Sequence, residues 1–196
     1  MISNGKMVIK VLDHKIDIST KIPQLKSERL EFKCFEEQDV RESYECITPS
    51  LTRYLAWEKP RSLEEYAVVW QTWLRRMQKG EEYVFVIRHL QSNKFIGLLG
   101  VHQLKTQSPE LGIWIREDEH SQAYGREAVY TIAKWISEHF EIEQYIYPVA
   151  EQNVASRRIA EALGGTVIEE VEKPKYLSLT YQIKVPLEVN NNLLKY

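Results

Sequence analysis

Between Glu82 and Ile115 the chain carries three short runs of strand-forming residues, "EYVFVIRH", "FIGLLGVHQL" and "ELGIWI". Short gaps that hold the turn formers Ser92-Asn93 and Gln107-Ser108-Pro109 separate them, and gaps that short favour antiparallel neighbours. The pattern then changes. After Ile115 come the polar stretch "HSQAYGREAV", a helix with Val129, Ile132, Ala133, Ile136 and Phe140 at helical spacing, and the buried strand "QYIYPVA". A strand, helix, strand unit from Leu111 to Val149 requires a crossover, which favours a parallel pair. The simplest solution is a mixed central sheet with helices on both faces.

The flanking sequence supplies the remaining elements. "RLEFKCF" alternates Leu30, Phe32 and Cys34 against Glu31 and Lys33, and "EQDVRESYECI" sets Val40, Tyr44 and Ile47 on one helical face until Thr48-Pro49-Ser50 stops it. A loop with Tyr54, Trp57 and Pro60 leads to "SLEE", where Ser62 and Glu65 have capping-box spacing. That helix runs to Lys79 with Gly80 as its cap and a stripe of Leu63, Tyr66, Trp70, Trp73 and Met77. Downstream, "NVASRRIAEALGG" reads as a short helix closed by glycine, and "YLSLTYQIKV" as an alternating strand. Ahead of these, "KMVIKVLDHKIDIST" alternates around Asp13-His14, which suggests a β-hairpin in an N-terminal extension, residues 1–24. The last residues, 187–196, form a tail.

A chain of 196 residues with 43% hydrophobic content buries a full core as one domain, and no repeat or linker divides it. A net charge of −2 gives no global footprint for nucleic acid or an anionic membrane. Cys34 and Cys46 stand apart with no metal-ligand spacing, so no metal is expected and two reduced thiols are the simple reading. No stretch has the length of a signal peptide or membrane span, so a cytoplasmic protein is expected.

The helix that follows "HSQAYG" starts near Ala123. The first N–H groups of a helix lack intrahelical partners and, with the positive end of its dipole, form a ready anion site. This start either cradles a phosphate or is merely exposed.

The order of elements, with a loop, a glycine and a helix after the fourth main strand, resembles the GNAT superfamily of acyl-CoA-dependent N-acetyltransferases. "LKSERLEFKCFEEQDV" is similar to the start of the RimJ/RimL-like branch, which acetylates ribosomal-protein N-termini and carries T/S-E-R-L before an alternating strand. In "NVASRRIAEALGG", Asn153, Ser156, Glu161 and Gly164 match that branch's N-x-x-S-x-x-x-x-E-x-x-G pattern. The resemblance implies an α+β (mixed α/β) GNAT domain over residues 25–186, its mostly antiparallel sheet splayed between the fourth and fifth main strands. It also implies acetyl-CoA as co-substrate and an amine acceptor, either a protein N-terminus or a small molecule, with monomer and homodimer both open.

The family's pyrophosphate loop is Q/R-x-x-G-x-G/A. With its last position on Gly125, His120 stands at the Q/R and Ala123 at the first glycine, and both are departures. The alanine Cβ stands where backbone should approach phosphate, while a protonated His120 beside pyrophosphate would offset part of that loss. The cofactor set implied is Ile113, Trp114, Ile115, His120, Gln122, Ala123, Tyr124, Gly125, Arg126, Asn153 and Ser156. Pantetheine would lie between "ELGIWI" and "QYIYPVA". Gly112 suits a bulge that frees the N–H of Ile113 or Trp114 for the thioester oxygen, or else simply permits close packing. Pro148, with no N–H, fits a strand whose pairing is locally lost.

An ammonium has no lone pair, so a base or water relay is expected. Glu110 aligns with an acidic position of that branch, and Glu58 beside Trp57 is the second choice; each also reads as a solvated glutamate. Many GNAT enzymes protonate the leaving thiolate from a tyrosine, but Ala160 stands there, which leaves Ser156, itself equally a first-turn residue of a helix capped by Asn153. Tyr54 and Trp57 would line the acceptor site, with cation–π contact to an amine. The alternative function is a catalytically weak or silent acyl-CoA-binding module with the same fold.

Overall fold

The structure, a computed structural model, describes residues 25–187. The hairpin expected in residues 1–24 and nearly all of the tail lie outside the described residues. The strands are β1 (Leu25–Lys26), β2 (Leu30–Cys34), β3 (Tyr83–His89), β4 (Phe95–His102), β5 (Glu110–Ile115), β6 (Gln144–Ala150), β7 (Thr166–Glu172) and β8 (Leu177–Lys184). The helices are α1 (Val40–Cys46), α2 (Pro49–Thr52), α3 (Leu63–Gln78), α4 (Tyr124–His139) and α5 (Val154–Ala162), with 3-10 turns at Glu37–Asp39 and Glu117–Glu119. The strands form one sheet in the order β1-β2-β3-β4-β5-β6-β8-β7. All neighbours are antiparallel except β5 and β6.

Strand alternation divides the core between two faces. Tyr83, Phe85 and Ile87 join Leu99, Val129, Ile132, Ile136 and Tyr145 on the α4 face. Val84 and Val86 join Phe35, Ile47, Tyr66, Leu98 and Trp114 on the α1 and α3 face. Burying one such side chain is worth about 1.5–3 kcal/mol, so both layers add to stability.

Local chemistry sets the helix ends. Ser62 Oγ accepts from Glu65 N–H at 3.2 Å. The Glu65 carboxylate reaches the Arg61 amide at 2.6 Å rather than that of Ser62, so the box closes one residue early. Lys79 caps the other end, and Gly80 follows with φ 62°, a left-handed conformation that costs glycine little. Thr48 stops α1 as expected, yet its hydroxyl also caps α2 by accepting from Leu51 N–H at 3.0 Å.

One junction in the sheet is nearly open. β5 and β6 share a single bridge, Glu110 with Ile146, in which Ile146 N–H donates to Pro109 O at 3.0 Å. Residues two apart on a strand turn the same edge outward, so Pro148 presents β5 with a nitrogen that has no hydrogen. Meanwhile β4 holds β5 from Gly97 to His102 and β8 holds β6 over its whole length. Each strand is secured to its outer neighbour, and the inner edges separate.

Candidate active site

Strand parity decides which groups line the open junction. Arg116 N–H donates to Ile96 O at 2.8 Å, so residues of its parity in β5, Gly112 and Trp114, turn their amides to β4. Ile113 and Ile115 turn theirs toward β6, where no ladder meets them. Of the two amides expected to face the thioester, only that of Ile113 turns to the open edge, since the Trp114 side chain packs in the α1 and α3 core and its amide belongs to the β4 ladder. The bulge expected at Gly112 is absent: Gly100 pairs with Gly112 in an unbroken register. No bulge is needed, because parity already leaves the Ile113 amide on the open edge.

The start of α4 stands at the mouth of this junction. Glu127 N–H is the first to reach back along the helix, to Ala123 O at 3.2 Å, so the amides of Tyr124, Gly125 and Arg126 precede the ladder. Two loop residues without glycine's freedom have left-handed backbone, Ser121 at φ 64° and Ala123 at φ 59°. A Cβ at Gly125 would lie 3.2 Å from Ile159 Cδ1 and 3.6 Å from Ile115 Cγ1. Gly125 therefore serves close approach of α4 to α5 and β5, while the strained position is Ala123. His120 Nε2 donates to Ile115 O at 2.8 Å and so ties the loop to the open edge of β5. Gln122 is exposed.

Side chains of the first turn of α4 have other work. Tyr124 is 9% exposed and lies under the Arg29 guanidinium, 4.6 Å from its ring centroid. Arg126 lines a cavity with Leu25, Lys26 and Tyr130 between β1 and α4. Glu127 accepts from Ser27 Oγ at 2.7 Å, Arg29 N at 2.9 Å and Arg29 Nε at 2.8 Å, which fixes α4 to the turn between β1 and β2. The Tyr124 ring is thus engaged, which leaves its backbone as the part that could meet an anion.

Across the junction, Asn153 Oδ1 accepts from Ser156 N–H at 3.2 Å and caps α5. The Ser156 hydroxyl is bonded to the Tyr147 hydroxyl at 2.8 Å. Tyr147 is buried on β6, and burial pushes its phenol up to about 12 against a smaller opposing effect of Ser156. Glu161, two turns on, accepts from Tyr181 OH at 3.0 Å, which makes it a strut between α5 and β8. Ala160 is fully buried and offers no proton.

On the α1 and α3 face, Glu110 begins β5 at the bridge, half-buried, with His102 as its cross-strand neighbour. His102 Nδ1 lies 2.9 Å from Glu82 Oε2. Lys175, between β7 and β8, donates to Thr52 O at 2.9 Å and Trp57 O at 3.0 Å and pairs with Glu58 at 3.0 Å. The Tyr54–Trp57 loop is thereby held beside the far end of the sheet, with Trp57 37% exposed. Glu58 is on the surface.

The sequence profile of the Acetyltransferase (GNAT) domain matches residues 29–166. The chain belongs to the GNAT acetyltransferase family. It is an N-acetyltransferase of that kind, and its sheet is the GNAT sheet, open between β5 and β6. The structure of RimL, a ribosomal L7/L12 alpha-N-protein acetyltransferase in complex with coenzyme A, superposes with a TM-score of 0.73 at 18% identity, over 81% of this chain and 96% of that one. An acetyltransferase from Salmonella typhimurium that modifies the N-terminal serine of L7/L12 gives 0.71 at 17% identity, over 81% and 96%. A GNAT-family acetyltransferase from Bacillus anthracis gives 0.69 at 17%, over 82% and 98%. A sequence search of curated proteins gives no match.

Within this GNAT frame the residues expected around the cofactor fall into two groups. Ile113 and Ile115 turn their amides to the open edge of β5 and His120 is bonded to it; the side chains of Trp114 and Tyr124 are engaged in other contacts. Sequence reasoning passed over Tyr147, Glu82 and His102. Tyr147 was signalled by its place in "QYIYPVA", but its partner is nine residues away on another element. Among the described residues no group of three His, Cys, Asp or Glu is arranged to hold a metal, and no helix is long and apolar enough to cross a membrane.

Proposed function

We propose that the chain transfers the acetyl group of acetyl-CoA to a primary amine by direct attack in a ternary complex. The observation that carries this is the unpaired inner edge of β5, with the Ile113 and Ile115 amides beside the amide-rich start of α4. Acetyl-CoA supplies a thioester already activated for acyl transfer. The α4 amides would receive its phosphates, each charge–dipole contact worth roughly 0.3–1 kcal/mol before screening. Edge amides of β5 and carbonyls of β6 complete hydrogen bonds to an extended chain of amides between them. The Ile113 N–H is set to stabilise the charge that grows on the thioester oxygen.

Glu110 lies at the apex of the junction, where an incoming ammonium meets its first carboxylate. Before it can attack, the amine must lose a proton to a base on this same face of the sheet. The amine nitrogen then bonds to the carbonyl carbon and the carbon–sulfur bond breaks; the sulfur takes a proton from the Ser156 and Tyr147 hydroxyl pair, and the second proton shed by the nitrogen replaces it. A peptide α-amine is the preferred acceptor, supported by the T/S-E-R-L-like start of the domain and by the substrates named for the RimL structures.

Acetyl-CoA added to the full chain is expected to raise Tm, since 100-fold excess over Kd contributes about 2.7 kcal/mol. A screen of peptides with different first residues, following free CoA, then identifies the acceptor. Absence of any shift at saturating acetyl-CoA would sink the reading. A shift without turnover on any amine would instead identify a silent acyl-CoA-binding module.

A further inference from the structure

On the acceptor face, one carboxylate is buried where folding alone gives it no reason to be. The Glu82 side chain is 2% exposed, and among the described residues its Oε1 has no hydrogen-bond partner. Its Oε2 lies 2.9 Å from His102 Nδ1 and 3.5 Å from Arg76 Nη1. A buried carboxylate is costly unless it is paired and hydrogen-bonded, and here only half of it is. What the arrangement does achieve is a fixed imidazole. A carboxylate can only accept, so Nδ1 carries the hydrogen and the lone pair of the neutral ring lies on Nε2.

The sheet beneath is shaped for that ring. A Cβ at Gly100 would stand 2.4 Å from His102 Nε2, and one at Gly112 3.8 Å from it. Gly100 and Gly112 are cross-strand partners, so two bare positions side by side let the imidazole lie back along β4 and over β5. Any side chain at position 100 would displace it. The next pair in the register is His102 with Glu110, and Glu110 is the bridge at which β5 and β6 part. Nε2 therefore sits over Gly112, next to the residue whose amide faces the open junction. The ring is 31% exposed, reachable from the acceptor side.

We propose that His102 is the general base of the transfer, positioned by Glu82, and that Glu110 anchors the ammonium beside it. This rests on the acetyl-CoA reading given above. A proton of the ammonium moves to Nε2, and the freed nitrogen pair forms the bond to the carbonyl carbon. As the carbon–sulfur bond breaks, its electron pair stays on sulfur. Glu82 is a positioning residue: it sets the tautomer and orientation of the ring, as carboxylates do for imidazole bases on unrelated folds.

The test is affinity labelling of the full chain with bromoacetyl-CoA, which needs no knowledge of the acceptor. A nucleophile beside the acyl site displaces bromide: one bond forms to the methylene carbon, and the carbon–bromine bond breaks. The expected result is a single CoA-bearing peptide mapped by mass spectrometry to His102. It should be blocked by excess acetyl-CoA, lost in His102→Gln and slowed at least tenfold in Glu82→Gln. On the acceptor found in the peptide screen, His102→Gln should lower kcat about 100-fold with KM for acetyl-CoA unchanged. Labelling elsewhere with His102 unmodified, or full kcat in His102→Gln, overturns the proposal. No labelling together with no acetyl-CoA shift in Tm overturns the acetyl-CoA reading itself. A shift with His102 unlabelled overturns the role of His102 alone. Should Glu82→Gln fail to fold, the His102→Gln results decide the matter by themselves.

Discussion

The hydroxyl of Tyr147 on β6 and that of Ser156 on α5 are hydrogen-bonded at 2.8 Å, and the phenol is otherwise sealed in the core. Burial holds this phenol near 12, so it stays protonated across the pH range in which an amine acceptor is usefully free. Ser156→Ala should lower kcat by roughly 100-fold and Tyr147→Phe by less, measured as CoA release, because proton transfer by a positioned group contributes about that much. Tyr147→Phe should also lose about 1 kcal/mol of stability for its hydrogen bond. The raised phenol makes the sign clear: its contribution to stability is complete below the ordinary tyrosine value and fades as pH rises toward 12.

Ala123 holds a left-handed backbone at φ 59°, a conformation that costs an L-residue roughly 1–2 kcal/mol. Glycine relieves that strain and returns part of it as unfolded-state entropy. Ala123→Gly is expected to stabilise the protein by about 0.5 kcal/mol. It should also tighten acetyl-CoA binding a few-fold by clearing the Cβ from the phosphate approach. Denaturant unfolding and calorimetric titration check the two effects separately.

Glu127 collects the Ser27 hydroxyl, the Arg29 amide and the Arg29 guanidinium while its own side chain is 4% exposed. Its truncation to alanine should cost about 3 kcal/mol, the loss expected when one partner of a buried ion pair is removed. A fall in Tm of roughly 10 °C would register it. Acetyl-CoA binding should weaken as well, because α4 loses the contact that orients its first turn.

The two thiols differ in setting. Burial, with a smaller effect from Glu36, pushes Cys34 from 9.0 to about 11. Cys46 is also raised, again by burial first, with Arg116 opposing. At pH 8 the Cys34 thiolate fraction is about 0.1%, so iodoacetamide should leave it intact in the folded protein while reacting fully after denaturation. The stability tied to Cys34 is present below the unfolded thiol value and is lost as pH rises through about 11. Rapid labelling of native Cys34 at pH 8 would contradict this setting.

What the sequence disclosed was local. The three antiparallel strands, the crossover to β6, the glycine stop after α3 and the start of α4 all follow from residues within a few positions of one another. The insertion of β8 between β6 and β7 does not, because lateral strand order rests on pairing between residues far apart in the chain, here Gln144 with Lys184 through Ala150 with Ser178. β7, with Glu169, Glu170 and Glu172 along an exposed edge, carries charge that discourages further pairing and hides its strand pattern. At the site, the glycine of "HSQAYG" was visible but its purpose was not. Contacts with Ile159 and Ile115, not backbone freedom, explain Gly125. The Glu82 and His102 pair depends on the register of β3 and β4, which no spacing of twenty residues reveals.

A sheet joined at one bridge, Glu110 to Ile146, can change the angle between its two leaves without breaking a ladder. The wedge that sets this angle is the first turn of α4, seated by Gly125 against Ile115 of one leaf and Ile159 behind the other. How far the two leaves stand apart is thus a matter of side-chain bulk at positions 115, 125 and 159.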